Sequence, residues 1–294
     1  MKSAAFGYAA PTSLSEALVL LSEHADKDAK LIAGGQSLMP LLALRFAQPG
    51  FIVDLNRIPD LAAIRGTDDG GVAIGAMTRT RQLETDPLIT ERAPLAAESA
   101  PLIAHRAIRN RGTVGGAVAH ADPAAELPAV MLAHGATIVA RGPGGTREIR
   151  AADFFRGYYT TDLAPDEILV ELRLPPQPAG TGTAFLEISR RHGDFAVAGV
   201  AAAVTIQGDA CTDARIALIG VADRPFAANQ ATAALIGGPV DTAATASAAA
   251  AAAAAVSPNG DLHASPAYRR ALVETLVRRA VTLAASRAAA RESG

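Results

Sequence analysis

The chain has 294 residues, half of them apolar, with a net charge of −2 and a single cysteine. That length allows about two ordinary domains with a sizeable core, and the absence of a basic tract speaks against nucleic acid as the main partner. The lone Cys211 excludes an intramolecular disulfide, a zinc–cysteine cluster and a four-cysteine iron–sulfur site within the chain. Any redox chemistry therefore needs an organic cofactor here or metals on another chain. The opening Met1-Lys2-Ser3-Ala4 carries no signal-peptide pattern, and no apolar run reaches the roughly 18 residues of a spanning helix. A cytoplasmic location without a membrane span is expected.

In chain order, residues 13–22 have apolar residues at helical spacing, opened by Ser13 with Glu16 three residues on, a capping-box pattern. Residues 30–33 read as a short buried strand that ends in the turn Gly34-Gly35-Gln36-Ser37, before an apolar segment over 38–46. Residues 51–55 and 72–74 are β-rich. The stretch 83–100 reads as mostly helical, with 102–108 extending it toward a second glycine turn, Arg111-Gly112-Thr113-Val114-Gly115-Gly116-Ala117. A helix over 127–133 and a strand over 136–140 follow, then the hairpin signal Gly142-Pro143-Gly144-Gly145. The proline-rich stretch 174–180 marks a boundary between domains at 1–176 and 180–286. Beyond it, strands at 184–188, 198–206 and 214–221 are spaced as an antiparallel sheet. Cys211 is expected at a turn or edge, the remainder to residue 290 is largely helical, and the tail from Arg287 is expected to fray.

The two glycine turns read as halves of one phosphate-binding cradle. Glycine accepts φ > 0 and has no Cβ to block close approach, so consecutive N–H groups can converge on a pyrophosphate. Ser37 and Thr113 add hydroxyl donors, and Ser37 stands at the start of a helical segment, where anions are favoured. Both turns are also compatible with ordinary strand-to-helix connections. Neither G-x-G-x-x-G nor a P-loop is present, so a Rossmann site or an NTPase is not indicated. Asp122 before Pro123 reads as a helix N-cap. Glu126, one turn on, is either an acceptor for cofactor hydroxyls or part of a solvated helix face. Without a nucleophile or metal ligand beside them, these two do not form a general-base pair. Arg106, Arg109 and Arg111 read either as a partner for pyrophosphate charge or as basic residues at a helix C-terminus. His120 is the one histidine inside a motif. Residues 187–195 read as an edge strand with a charged turn.

Taken together, these motifs resemble the FAD-binding medium subunit of the molybdenum hydroxylases, of the carbon monoxide dehydrogenase and xanthine dehydrogenase type. The resemblance rests on AGGQSL (33–38), Ile74-Gly75-Ala76-Met77-Thr78, RNRGTVGG (109–116), AHADPAAELP (119–128), EISRRHGDFA (187–196), and Asp261-Leu262-His263-Ala264-Ser265 with Tyr268-Arg269-Arg270. It spans nearly the whole chain. It implies a two-lobed α/β FAD-binding domain of the vanillyl-alcohol-oxidase type, then an α+β domain with an antiparallel sheet and helices. It also implies a heterotrimer in which a large subunit carries the molybdopterin cofactor and a small one two [2Fe–2S] clusters. This chain would pass electrons through FAD to a soluble acceptor, in a dimer of heterotrimers.

Carried over by position, the backbone of Ala33, Gly34, Gly35, Gln36 and Ser37 would hold the FAD pyrophosphate, flanked by Ile32 and Leu38. Thr113, Gly116 and Ala117 would form a second wall. His120 and Asp122 would meet the ribityl or phosphate region, Glu126 the cofactor hydroxyls, Leu163 the isoalloxazine edge, and Phe195 the flavin ring. Gln36 stands where carbon monoxide dehydrogenases tend to have His, Ala117 where many relatives have Asn or Asp, and Glu187 in a region where some have Lys. No covalent-flavin histidine is evident, so the FAD is expected to be dissociable. No side chain is assigned to acid–base catalysis or to a metal. A stand-alone flavin oxidoreductase and an FAD-free assembly subunit are the alternative readings.

Overall fold

Three short parallel strands open the chain in the computed structural model, which describes residues 2–292. They are β1 (Gly7–Ala9), β2 (Lys30–Ile32) and β3 (Phe51–Asp54), in the order β1-β3-β2. Helix α1 (Leu14–Glu23) starts where its sequence predicts: Ser13 Oγ accepts the Glu16 N–H at 3.2 Å. Glu16 reciprocates one residue earlier than in the usual box, accepting the Thr12 N–H at 2.9 Å. Ala17 and Leu21 of α1 pack with Val53 of β3. Helix α2 (Leu38–Leu44) follows β2 through the first glycine turn.

The middle of the chain builds a five-stranded antiparallel sheet from β4 (Ile64–Gly66), β5 (Val72–Gly75), β6 (Thr137–Gly142), β7 (Gly145–Arg150) and, later, β10 (Ile168–Leu174). Its order, β4-β5-β10-β6-β7, inserts β10 between strands made much earlier. The stretch 83–100 is mostly helical, as read from the sequence, in three pieces: α3 (Gln82–Thr85), α4 (Pro87–Arg92) and α5 (Pro94–Ser99). Each proline lacks the N–H that would continue the preceding helix and instead opens a new one, and Asp86 caps α4 by accepting the Leu88 and Ile89 N–H groups. The extension over 102–108 does not form. Ala104 turns left-handed (φ 47°), and only α6 (Arg106–Arg109) is helical. Two further helices, α7 (Val114–His120) and α8 (Glu126–His134), complete the connection to β6. The β6–β7 hairpin turns where Gly142 faces Gly145. After α9 (Ala151–Phe154), a two-stranded ladder of β8 (Phe155–Gly157) and β9 (Thr160–Thr161) leads to β10.

The last third is an antiparallel sheet in sequence order, β11 (Thr181–Ser189), β12 (Ala196–Gln207), β13 (Ala210–Ile219) and β14 (Phe226–Ala227), followed by α10 (Asn229–Ala233), α11 (Thr242–Ala255) and α12 (Pro266–Glu292). The alanine run lets α11 come close to its neighbours, with Ala248, Ala249 and Ala252 buried among Val277, Ala280 and Val281 of α12 and Ala198 and Ala202 of β12. Glycine does the same where β11 meets α12: a Cβ on Gly182 would collide with the Ala284 carbonyl oxygen. The other face of this sheet supplies Phe185, Ala201, Ala217 and Ile219 to the core built around α8, which explains why α8 is buried nearly all round. Two expectations are corrected here. Cys211 is buried in β13 rather than at a turn or exposed edge, its Sγ directed at the Asp213 carbonyl. The tail does not fray at Arg287, because Arg287 and Arg291 donate to the Thr183 and Thr181 carbonyls at 2.6 and 2.9 Å and α12 runs to Glu292. Residues 293–294 lie outside the described residues. Among the described residues no helix is long and apolar enough to cross a membrane.

His134, at the end of α8, joins three parts of the chain. Its ring is fully buried, Gln177 Nε2 lies 2.9 Å from its Nδ1, and its carbonyl accepts from Arg215 Nη1 at 2.8 Å. Burial, and secondarily the Arg215 charge, push the imidazole down to about 4. A folded-state pKa below the unfolded value stabilises the fold above the unfolded pKa, and that stability drains away as pH falls through the window from 6.5 to 4. Denaturant unfolding is expected to show a loss on the order of 2 kcal/mol from this group between neutral pH and about pH 4.5. In His134→Gln that part of the acid slope should vanish; an undiminished slope would mean that His134 already titrates freely.

Candidate cofactor site

The segment after β5 assembles the site. Val114 N–H donates to the Thr78 carbonyl, Gly115 N–H to Ala76 and Thr80 N–H to Gly112, each at 2.9 Å, so residues 76–81 run along the second glycine turn. This presses that turn onto the first. A Cβ on Gly34 would collide with the Arg111 carbonyl oxygen and lie 2.7 Å from Gly112 Cα. A Cβ on Gly116 would lie 2.6 Å from Thr113 Oγ1 and 3.4 Å from the Ala33 Cβ. Gly35 is left-handed at φ 73°, and Gln36 Nε2 donates to the Gly34 carbonyl at 2.9 Å, fixing the loop on itself. Thr113 is the buried N-cap of α7, its Oγ1 accepting the Gly116 N–H at 3.1 Å.

Beside this junction is a cavity of about 640 Å³, walled by Ile32, Ala33, Gly34, Gly35 and Gln36, by Met39, Pro40 and Ala43 of α2, and by Asp54, Asn56, Ile108 and Arg111. Arg79 ties the wall together, donating to the Arg111 carbonyl at 2.6 Å and to Asn56 Oδ1 at 2.7 Å. Asn56 Nδ2 in turn donates to the Ala33 carbonyl at 2.7 Å. Burial, and secondarily the Arg111 charge, lower the Arg79 pKa, with Asp54 acting against them. Sequence reasoning missed Asp54, Asn56 and Arg79. The signal for the first two was their place at the C-terminal end of a buried parallel strand, where ligand sites of α/β sheets gather.

A second group lies beyond α7. The His120 and Tyr159 rings are 5.0 Å apart, and the Tyr159 hydroxyl donates to Asp122 Oδ2 at 3.4 Å. Asp122 is not the N-cap of α8. Its carboxylate accepts the Ala124 N–H at 2.8 Å in a turn containing Pro123, and Ala125 occupies the cap position. Glu126 is not on a solvated face either: it is 6% exposed, and burial raises its pKa to about 7. Burial, and then the charge of Glu126, raise the Glu187 pKa to about 8. Arg109 is taken up by structure, its Nε paired with Glu84 at 2.6 Å and its Nη1 donating to the Ile103 and Ala104 carbonyls. Of the three arginines considered, Arg111 is the one that lines the cavity.

The structure thus joins Ile32 to Gln36 with Thr113 and Gly116, and groups His120 with Asp122. Ser37 is exposed and makes no side-chain capping bond, Leu38 begins α2, and Ala117 lies partly buried on α7. Leu163 packs against the central core and Phe195 is 67% exposed before β12, and neither lines the cavity.

Residues 4–177 match the family described as the FAD binding domain in molybdopterin dehydrogenase, and residues 183–284 match the CO dehydrogenase flavoprotein C-terminal domain. The chain belongs to this family of FAD-binding medium subunits and is the flavoprotein component of a molybdopterin-dependent oxidoreductase. It is 42% identical over 290 residues to the alpha subunit of the 6-hydroxypseudooxynicotine dehydrogenase complex of Paenarthrobacter nicotinovorans, covering 98% of this chain and 97% of that one. It is also 42% identical to the carbon monoxide dehydrogenase medium chain of Hydrogenophaga pseudoflava, over 97% of this chain and 98% of the relative. A solved structure of carbon monoxide dehydrogenase from Hydrogenophaga pseudoflava, lacking the Mo-pyranopterin moiety of its molybdenum cofactor, superposes with a TM-score of 0.95 at 43% identity, covering 98% and 99% of the two chains.

Proposed function

We propose that this chain is the electron-transfer subunit of a heterotrimeric molybdenum hydroxylase, taking electrons from [2Fe–2S] clusters on a small subunit and passing them through FAD to a soluble acceptor. A large subunit holds the molybdopterin cofactor and the substrate pocket, the whole is a cytoplasmic dimer of heterotrimers, and the domains here are 1–176 and 180–286. The observation that carries this reading is the contact of Gly34 with Gly112, where two backbones meet at a place no Cβ could occupy. A pyrophosphate fits such a cradle because backbone N–H groups can approach it closely, with Arg111 adding positive charge at the rim. Ala33, Gly34, Gly35, Gln36 and Ser37 bind the diphosphate between Ile32 and Leu38, and Thr113, Gly116 and Ala117 close the second side. His120 and Asp122 would meet the ribityl or phosphate region, Glu126 the cofactor hydroxyls, Leu163 the isoalloxazine edge, and Phe195 the flavin ring. When bound, FAD supplies the electron-carrying chemistry; this chain's residues supply its position.

The test is purification from the native host through a tag on this chain. Flavin bands, iron–sulfur absorbance and two co-purifying polypeptides are expected. Flavin on a single polypeptide that oxidises a donor unaided would favour a stand-alone oxidoreductase instead. A colourless chain that refuses added FAD would leave only an assembly role.

A further inference from the structure

Few hydrogen bonds tie the first glycine turn to the rest of the chain. Among the described residues, those of 34–37 stay within the turn and α2. The second turn is anchored differently, by the backbone bonds of residues 76–81 and an isolated β-bridge between Arg79 and Thr113. A relay of side chains joins the two. Arg79 Nη1 donates to the Arg111 carbonyl at 2.6 Å and its Nη2 to Asn56 Oδ1 at 2.7 Å. Asn56 Nδ2 then donates to the Ala33 carbonyl at 2.7 Å, at the entry to the first turn.

The relay is fixed at its far end. Asn56 Nδ2 also donates to Asp54 Oδ1 at 2.6 Å, so both amide hydrogens are in use. The same Asp54 oxygen accepts the Asn56 backbone N–H at 2.9 Å, and Oδ2 accepts the Tyr8 hydroxyl at 2.7 Å. A flipped Asn56 amide would set its NH₂ against the Arg79 guanidinium and its oxygen against two acceptors. The side chain is therefore locked. The carbonyls it helps to grip also decide where N–H groups point. No cis peptide occurs among the described residues, and in a trans peptide the C=O and N–H point opposite ways. Asn56 on the Ala33 carbonyl thus turns the Gly34 N–H away from itself. Gln36, on the Gly34 carbonyl, does the same for the Gly35 N–H.

We propose that Arg79 and Asn56 are positioning residues for the cofactor: gripping one carbonyl beside each glycine turn, they set the two turns against each other before FAD arrives. This rests on the reading of the turns as the diphosphate cradle. Neither side chain need touch FAD. Apparent affinity scales with the fraction of protein already in the binding-competent arrangement, so loosening the relay weakens binding without removing a contact to the ligand.

The full chain freed of FAD is the material for the test, with fluorescence titration and stopped-flow mixing with FAD as readouts. Arg79→Met should weaken FAD binding by about 10- to 30-fold, and Asn56→Ala by a similar factor. Both act through one relay, so the double variant should lose far less than the product of the two losses. The loss should fall on the association rate and leave dissociation nearly unchanged, because the contacts made once FAD is bound are the same. A lost direct contact would act on dissociation instead. Arg79→Lys keeps the charge without the two-pronged fork and should bind as weakly as Arg79→Met. Exposed Arg57→Met, one position past Asn56, should match wild type.

Wild-type affinity in Arg79→Met, multiplied losses in the double variant, faster dissociation, or full rescue by lysine would each overturn the positioning role. Asn56 is exposed, so Asn56→Ala decides the matter if Arg79→Met does not fold, and wild-type affinity there would overturn the role equally. A wild-type chain that binds no FAD, or a Gly34→Ala chain that binds it normally, would remove the cradle reading itself and this inference with it.

Discussion

Gly34→Ala is expected to yield a folded chain that no longer retains FAD. The new Cβ would collide with the Arg111 carbonyl oxygen and come 2.7 Å from Gly112 Cα. Both obstacles are backbone, so no side-chain rotation relieves them, and the first turn must move away from the second. Overpacking of this kind costs about 1–3 kcal/mol in stability, which a chain of this size can survive. Affinity for FAD should fall by on the order of 100-fold, equivalent to about 2.7 kcal/mol, since the cradle needs both turns at once. Fluorescence titration of the apoprotein with FAD measures this, with circular dichroism to establish folding. Gly144→Ala is the control, because a Cβ there meets nothing within 4 Å. If Gly34→Ala bound FAD as tightly as this control, the pyrophosphate would have to sit elsewhere.

The second large effect is expected at Arg269. Its buried guanidinium donates through Nη1 to the carbonyls of Val197 (2.6 Å) and Gly220 (2.7 Å), and through Nη2 to Asp261 at 2.5 Å. One side chain of α12 thereby fixes the start of β12, the end of β13 and the loop before α12. Asp261 also accepts the His263 and Ala264 N–H groups, so the loop keeps part of its order without the arginine. Arg269→Met conserves much of the stem but strands two backbone carbonyls, at a cost of about 3 kcal/mol. The ion pair itself adds little, since Asp261 is about half exposed. Thermal unfolding should drop by roughly 6–12 °C. Exposed Arg270→Met, whose contact with the Val256 carbonyl is long at 3.4 Å, should shift it far less. Equal shifts for the two variants would remove the special role of Arg269.

Much of this architecture was readable because local chemistry and tertiary structure agree. The Ser13 cap, the hairpin at 142–145, the antiparallel spacing beyond residue 180 and the two glycine turns each carry their geometry in a few residues. What could not be read has a common physical cause, namely burial decided by distant parts of the chain. Glu126 looks like a solvated helix residue until the sheet of the last third covers α8. Cys211 sits beside charged residues in sequence yet its side chain joins a core made by α10, α11 and α12. The tail from Arg287 has the composition of a fraying end, but its arginines reach strand carbonyls more than a hundred positions earlier. The break-up of 83–100 is different, because Asp86-Pro87 and Pro94 announce it locally. There the missing proline N–H groups decide where one helix stops and the next begins. Asn56 and Arg79 work through backbone carbonyls of other segments, a partnership that residue types alone do not encode.

The seating of α12 on β11 has a consequence for how the molecule is made. Thr183 and Arg287 are joined across 104 residues, and the backbone of Ala284 lies directly over Gly182. At about 5–20 residues per second, the ribosome delivers β11 roughly 5–20 seconds before the helix that roofs it. During that interval the alanine- and valine-rich face of β11 and β12 has no lid, while the segment carrying both glycine turns has already emerged. The cradle is thus synthesised ahead of the element that seals its neighbour, and this open sheet face is the stage of biogenesis at which a chaperone would be needed.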